Sequence, residues 1–180
     1  MNYLLILVFA LMAVSLFVSA KRPKCSLKNL NLDQMVGKWM LEWSQDDVPQ
    51  EWKKSKNGIS INMVKVGSNG VMMVLTGIVN VDDRQTHTPI YKQLDSKHPA
   101  VLTYEIVSDN GEKFEATLIV VELKPSRYML TYSPFFETWG LFVRPAGPKL
   151  VLREFKNLVC KIKCLGVKIK NFFSYKIDIR

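Results

Sequence analysis

Cysteine, histidine and acidic side chains are scarce in this chain, and each scarcity removes a class of function. The 180 residues include three cysteines and two histidines. His87 and His98 are isolated, with Pro99 following the latter, and make no zinc-ligand spacing, so no metal site is expected. Asp46-Asp47 and Asp82-Asp83 read as turn carboxylates, not as a paired acid and base. No nucleophile motif appears. The chain is therefore read as a non-enzyme that needs no cofactor. It also lacks any Asn-x-Ser/Thr sequon and any C-terminal retention signal, so N-glycosylation and retention are not expected.

Acidic residues number 16 against 25 lysines and arginines, a formal net charge of +9. Much of the excess lies late: from residue 145 to 180 there are nine basic residues against Glu154 and Asp178. Such a surface attracts glycosaminoglycan or an anionic membrane, or favours anionic ligands through its field. Nucleic acid is not expected as a partner, because no recognisable binding module is present.

Leu4 through Val18 is almost wholly apolar and ends in the small-residue pattern Val18-Ser19-Ala20 before Lys21. This pattern predicts a signal peptide over residues 1–20 and a mature, secreted chain of residues 21–180 that keeps the whole net charge. In an oxidising compartment, Cys25, Cys160 and Cys164 favour one disulfide and leave one odd thiol.

From Gly37 to about Arg144 the pattern is period two, broken by turn chemistry. Trp39, Leu41 and Trp43 share one face of the first run. Asp46 to Gly58 reads as a long loop. Gly67-Ser68-Asn69-Gly70 and Asp109-Asn110-Gly111 are hairpin signals. A polar strand is expected from Arg84 to Leu94, and later ones begin near Val101, Phe114, Tyr128 and Glu137. Eight candidate strands with hairpin-length links make an antiparallel meander, which loses both edges by closing into a barrel. After Pro148 the period changes. Val151, Leu152, Phe155, Leu158, Val159 and Ile162 fall within about 120° of a helical wheel, which predicts an amphipathic helix over about 149–165 that stops near Gly166. Cys160 and Cys164 lie opposite that stripe, one turn apart, so a bond between them would strain the helix. Cys25 is the better partner, with Cys160 slightly preferred and Cys164 the alternative. Ile169 to Ile177 reads as a short final strand, and no second domain is seen.

Leu32-Asp33-Gln34-Met35-Val36-Gly37-Lys38-Trp39 resembles the first motif of the lipocalin family, a turn of 3₁₀ helix leading into Gly-x-Trp. Gly140-Leu141-Phe142-Val143-Arg144, followed by a helix and a short strand, resembles the third motif and its sequel. The resemblance spans essentially residues 21–180. Met40 stands where the family often has Tyr, and Leu123-Lys124-Pro125 stands where the second motif would be, which marks an outlying member.

The resemblance implies an all-β fold: an eight-stranded antiparallel up-and-down barrel with one C-terminal helix. It implies that Gly37, Trp39 and Arg144 form the barrel base, with the guanidinium stacked across the indole and bonded to loop carbonyls. It further implies a secreted carrier of a small hydrophobic ligand, such as a fatty acid, retinoid, steroid or odorant-like molecule, with a cell-surface receptor as a further partner. The wall of the cavity would be Leu41, Trp43, Ile61, Met63, Met73, Leu75, Leu102, Tyr104, Leu118, Val120, Tyr128 and Leu130, with the loop Asp46 to Gly58 at the mouth. The alternative is a cationic interaction or defence protein that acts through its basic helix and tail.

Overall fold

The computed structural model describes residues 27–45, 59–76, 89–108, 110–167 and 172–174, with backbone alone at 43–45, 75–76 and 172–174. The expected signal segment, Cys25, the loop Asp46 to Gly58, the Asp82-Asp83 turn and His87 lie outside the described residues.

A 3₁₀ turn, Leu32–Gln34, comes first, and the Asn31 side chain caps it by accepting from the Asp33 N–H at 3.0 Å. Eight strands follow: β1 (Gly37–Gln45), β2 (Ile59–Val66), β3 (Gly70–Thr76), β4 (Ile90–Lys92), β5 (Val101–Val107), β6 (Lys113–Lys124), β7 (Tyr128–Ser133) and β8 (Thr138–Val143). Helix α1 (Leu152–Cys164) and strand β9 (Phe172–Ser174) end the order. From β2 to β8 each strand pairs antiparallel with the next in sequence. β1 pairs β2 on one side and β8 on the other, so the sheet closes into an eight-stranded barrel and no long edge is left bare. β9 lies against the far end of β1, with Trp43 opposite Ser174.

Two strand boundaries differ from the periodic reading. Within the described residues the strand expected from Arg84 to Leu94 is only Ile90–Lys92, because Gln93 is diverted into a clamp. Its side-chain amide donates to the carbonyls of Leu30 at 3.1 Å and Pro99 at 2.7 Å, which ties the N-terminal lead-in to the β4–β5 turn. At the other hairpin, Glu137 adopts φ +52°, so β8 begins one residue later than expected, at Thr138.

Burial divides into two cores. The inner one fills the base of the barrel, with Trp39, Leu102, Val120 and Met129 fully buried. The outer one lies between the barrel wall and α1, where Leu158 and Ile162 meet Ile119, Val121, Leu130, Trp139 and Leu141. Val151 and Leu152, expected on the apolar stripe, are 49% and 47% exposed. Val151 is the extended N-cap residue, to which a helical wheel does not apply, and Leu152 stands in the first turn, ahead of the contact.

Glu154 fastens the helix to the barrel. Its carboxylate accepts two bonds from Arg127 at 2.6 and 2.8 Å and one from the Val151 N–H at 3.3 Å, with Lys124 3.7 Å away. The Arg127 hydrogen bonds hold the Glu154 carboxyl below its ordinary value of 4.5. A carboxyl depressed by folding stabilises the fold above its unfolded value, and that stabilisation is lost as pH falls through the depressed one. Glu154→Gln is therefore expected to lower stability most at neutral pH. In urea titrations at several pH values its difference from the parent protein should shrink steadily below pH 4.5, and a difference independent of pH would contradict the account.

Candidate functional site

The floor of the barrel is built around one indole. Trp39 is fully buried, and its Nε1–H donates to the Met35 carbonyl at 2.7 Å, so the 3₁₀ turn is bonded directly to the plug. The Arg144 guanidinium lies 3.6 Å from the indole centroid. Its nitrogens donate to four carbonyls: Pro125 at 2.7 Å, Val36 at 2.9 Å, Lys38 at 3.2 Å and Gln34 at 3.3 Å. A flat, delocalised cation can stack and spend its edge donors at once, which an ammonium cannot. Gly37 is the residue this arrangement requires. Its φ is +105°, and a Cβ added there would lie 2.8 Å from Arg144 Nη1.

Above this floor, register determines which side chains face inward, because residues paired across the ladder share a face. Leu41, Ile61, Met63, Met73, Leu102, Tyr104, Leu118 and Val120 take inner-face positions. Met73, Tyr104, Leu118 and Phe142 pack on the inner core yet stay only partly buried, whereas Met63, Leu102 and Met129, paired opposite Met73, Leu118 and Phe142, are sealed. The barrel is thus filled in part by its own side chains and leaves some of its apolar inner wall incompletely covered. The side chains of Trp43 and Leu75 lie outside the described ones.

Tyr128 and Leu130 correct the expected wall. Both belong to the outer core under α1, and the inward residue between them is Met129. Every residue of β7 from Tyr128 to Thr131 is buried, because the helix covers one face and the barrel core the other. A strand buried on both sides shows no alternation from which a face could be chosen. A bulge between Val120 and Glu122 in β6 adds to this, since it brings Leu123 rather than Glu122 opposite Met129.

Tyr91 was not among the expected wall residues. It pairs with Val71, is 5% exposed, and packs its ring 4.8 Å from that of Tyr104. The clue was a large aromatic between Ile90 and Lys92 in a strand otherwise rich in polar residues. A cavity of about 560 Å³ opens where β4 and β5 part, these two strands sharing the register pair Lys92 with Thr103. Tyr104 and Phe114 are among its lining residues, with outward-facing Ile90, Thr103 and Val107. Lys92, Glu105, Lys113 and Glu115 also line it, with Lys113 and Glu105 ion-paired at 2.9 Å.

His98 bonds the Asp95 carboxylate within an exposed turn. Among the described residues no three His, Cys, Asp or Glu side chains stand where they could hold a metal ion, and no helix is long and apolar enough to cross a membrane. Cys160, the favoured partner for Cys25, is free and exposed, whereas Cys164 is not a free thiol.

No family model matches the chain, and no curated protein sequence matches it. Among solved structures it is similar to apocrustacyanin C2, at 18% identity over 84% of this chain and 87% of that one, with a TM-score of 0.57. Lobster apocrustacyanin A1 is 18% identical over the same shares, with a TM-score of 0.56. A biogenic amine-binding protein is 16% identical over 83% of each chain, with a TM-score of 0.55. At these identities the likeness is one of fold.

Gly37→Ala meets both an unfavourable φ and the guanidinium. It is expected to lower the unfolding free energy by about 1–3 kcal/mol in a urea titration with unchanged slope. Stability within about 0.5 kcal/mol of the parent would show that neither constraint operates.

Proposed function

From the lipocalin fold that the chain adopts, we propose that it binds and carries a small hydrophobic molecule in the upper part of the barrel and leaves it chemically unchanged. The observation that carries this reading is the contrast in burial along the inner face. Trp39, Leu102, Val120 and Met129 are sealed, while Met73, Tyr104, Leu118 and Phe142 on the same inner face are only partly buried. Apolar wall left uncovered inside a closed barrel is where a guest gains from burial, at roughly 25 cal/mol per Å² of apolar surface removed from water. A similarly folded protein that binds a biogenic amine is consistent with a binding role. Secretion after removal of residues 1–20 belongs to the same proposal, as does a Cys25–Cys164 disulfide, the second of the two expected pairings. The free thiol of Cys160 supports that pairing.

The cationic reading also has an observation in its favour. Arg153, Lys156 and Lys163 lie exposed on α1, whereas Lys161 is held by Glu122 at 2.6 Å. In that reading an anionic glycosaminoglycan or membrane is the partner and the barrel is scaffold.

The purified protein titrated with a fluorescent apolar probe, with Trp emission followed, should show saturable binding. Absence of saturation, together with tight and salt-sensitive retention on heparin, would replace the carrier with the cationic protein. Thiol labelling of the native protein should modify one site, Cys160, and Cys160→Ser should abolish the labelling. Labelling at Cys164 instead would overturn the proposed pairing.

A further inference from the structure

Among the described residues, every inner-face position above the Trp39 floor carries an uncharged side chain. Lys65, which shares the inward parity, sits at the closed end, where Asp33 of the 3₁₀ turn holds it at 2.8 Å. Glu42, beside the β1 bulge, has Lys149 as its charge neighbour outside the barrel. The polar groups that do face inward are neutral: the phenols of Tyr91 and Tyr104, and the hydroxyls of Thr131, Ser133 and Thr138.

Two of these hydroxyls already have backbone acceptors. Thr131 Oγ1 donates to the Gly140 carbonyl at 3.4 Å, and Ser133 Oγ to the Thr117 carbonyl at 3.3 Å. Tyr91 is different. Its phenol is almost completely buried, and among the described residues its hydroxyl reaches only the thioether sulfur of Met73, at 3.9 Å. A thioether is a weak acceptor, so a strong donor stands inside an apolar wall with its hydrogen bond poorly used. Burial pushes the ionisation of Tyr91 and of Tyr104 upward, which keeps both phenols protonated at neutral pH.

We propose that the guest is electrically neutral and inserts an end bearing a hydrogen-bond acceptor, such as a ketone, aldehyde, ester or ether oxygen, which Tyr91 receives with Tyr104 beside it. This inference rests on the carrier reading and narrows it. An inserted carboxylate or ammonium would lose its hydration without meeting an opposite charge, whereas a neutral oxygen replaces a poor acceptor with a good one. Fatty acids in their ionised form and protonated amines are thereby disfavoured.

The test compares one hydrocarbon chain ended by methyl, methyl ketone, carboxylate or ammonium, each displacing a bound fluorescent hydrocarbon from the purified protein. The ketone is expected to bind about ten-fold more tightly than either ion at neutral pH. The carboxylate should gain affinity on acidification as the free acid forms. Tyr91→Phe should bring the ketone down to the level of the methyl-ended chain measured on the same variant, with far-ultraviolet circular dichroism reporting that the variant is folded. Should Tyr91→Phe not fold, the ranking of end groups on the parent protein decides alone. An ion binding as well as the ketone, or a ketone advantage that survives Tyr91→Phe, would overturn the proposal. Failure of the fluorescent hydrocarbon itself to bind would remove the carrier reading, and this inference with it.

Discussion

The stack of Arg144 on Trp39 is the contact on which the remaining geometry depends. The guanidinium touches four carbonyls from two separate stretches of chain: the run from the 3₁₀ turn into the start of β1, which supplies Gln34, Val36 and Lys38, and the β6–β7 turn, which supplies Pro125. These stretches are distant in sequence, so bringing them together costs chain entropy that local contacts could not recover. One planar cation satisfies carbonyls that would otherwise be left without donors at the closed end, and its face seals the indole. Charge-assisted hydrogen bonds of this kind each contribute about 1.5–3 kcal/mol. Gly37 is then a consequence. The chain must turn sharply into β1 directly beneath the guanidinium, and only a residue without Cβ leaves room for it.

A second consequence is that the barrel is covered unequally. α1 packs over β6, β7 and β8, and Glu154 joins the start of that helix to Arg127 in the turn that also supplies the Pro125 carbonyl. The β6–β7 turn is thus held by the floor on one side and by the helix on the other. On the opposite wall, β4 is three residues long and shares one register pair with β5. The described barrel is tied from two sides where helix and floor meet. It is least reinforced beside Tyr104, on the same side as the phenol pair.

The closed barrel, the helix and the role of the Gly37-Lys38-Trp39 turn were legible in the sequence because each leaves a local signature: alternation, a change of period, and a glycine two residues before a large aromatic. The inner face was legible only where one side of a strand meets water. On β2 and β5 the alternation placed Ile61, Met63, Leu102 and Tyr104 correctly. On β7 it failed at Tyr128 and Leu130, because α1 removes water from the outer face and both parities become apolar. The bulges in β1 and β6 are invisible to a pattern of strict period two. Tyr91 was missed for another reason: its neighbours are exposed, and its burial depends on β3 and on the ring of Tyr104, which no local window contains.

The charge on the outside and the neutrality within need not serve one ligand. A net charge of +9 suggests at first that anions are the natural guests, drawn in by the field. Range and magnitude decide otherwise. Exposed lysines on α1 act through solvent that screens them within about 8 Å at physiological ionic strength. Desolvating a carboxylate inside the barrel costs several kcal/mol, against which only a nearby partner counts. No such partner lies on the described inner wall above the floor. In the carrier reading proposed above, the basic surface and the inner wall are therefore separate determinants, one acting through solvent and the other on a desolvated guest. A cationic outer surface and an uncharged inner wall can coexist in one small barrel because water screens the first from the second.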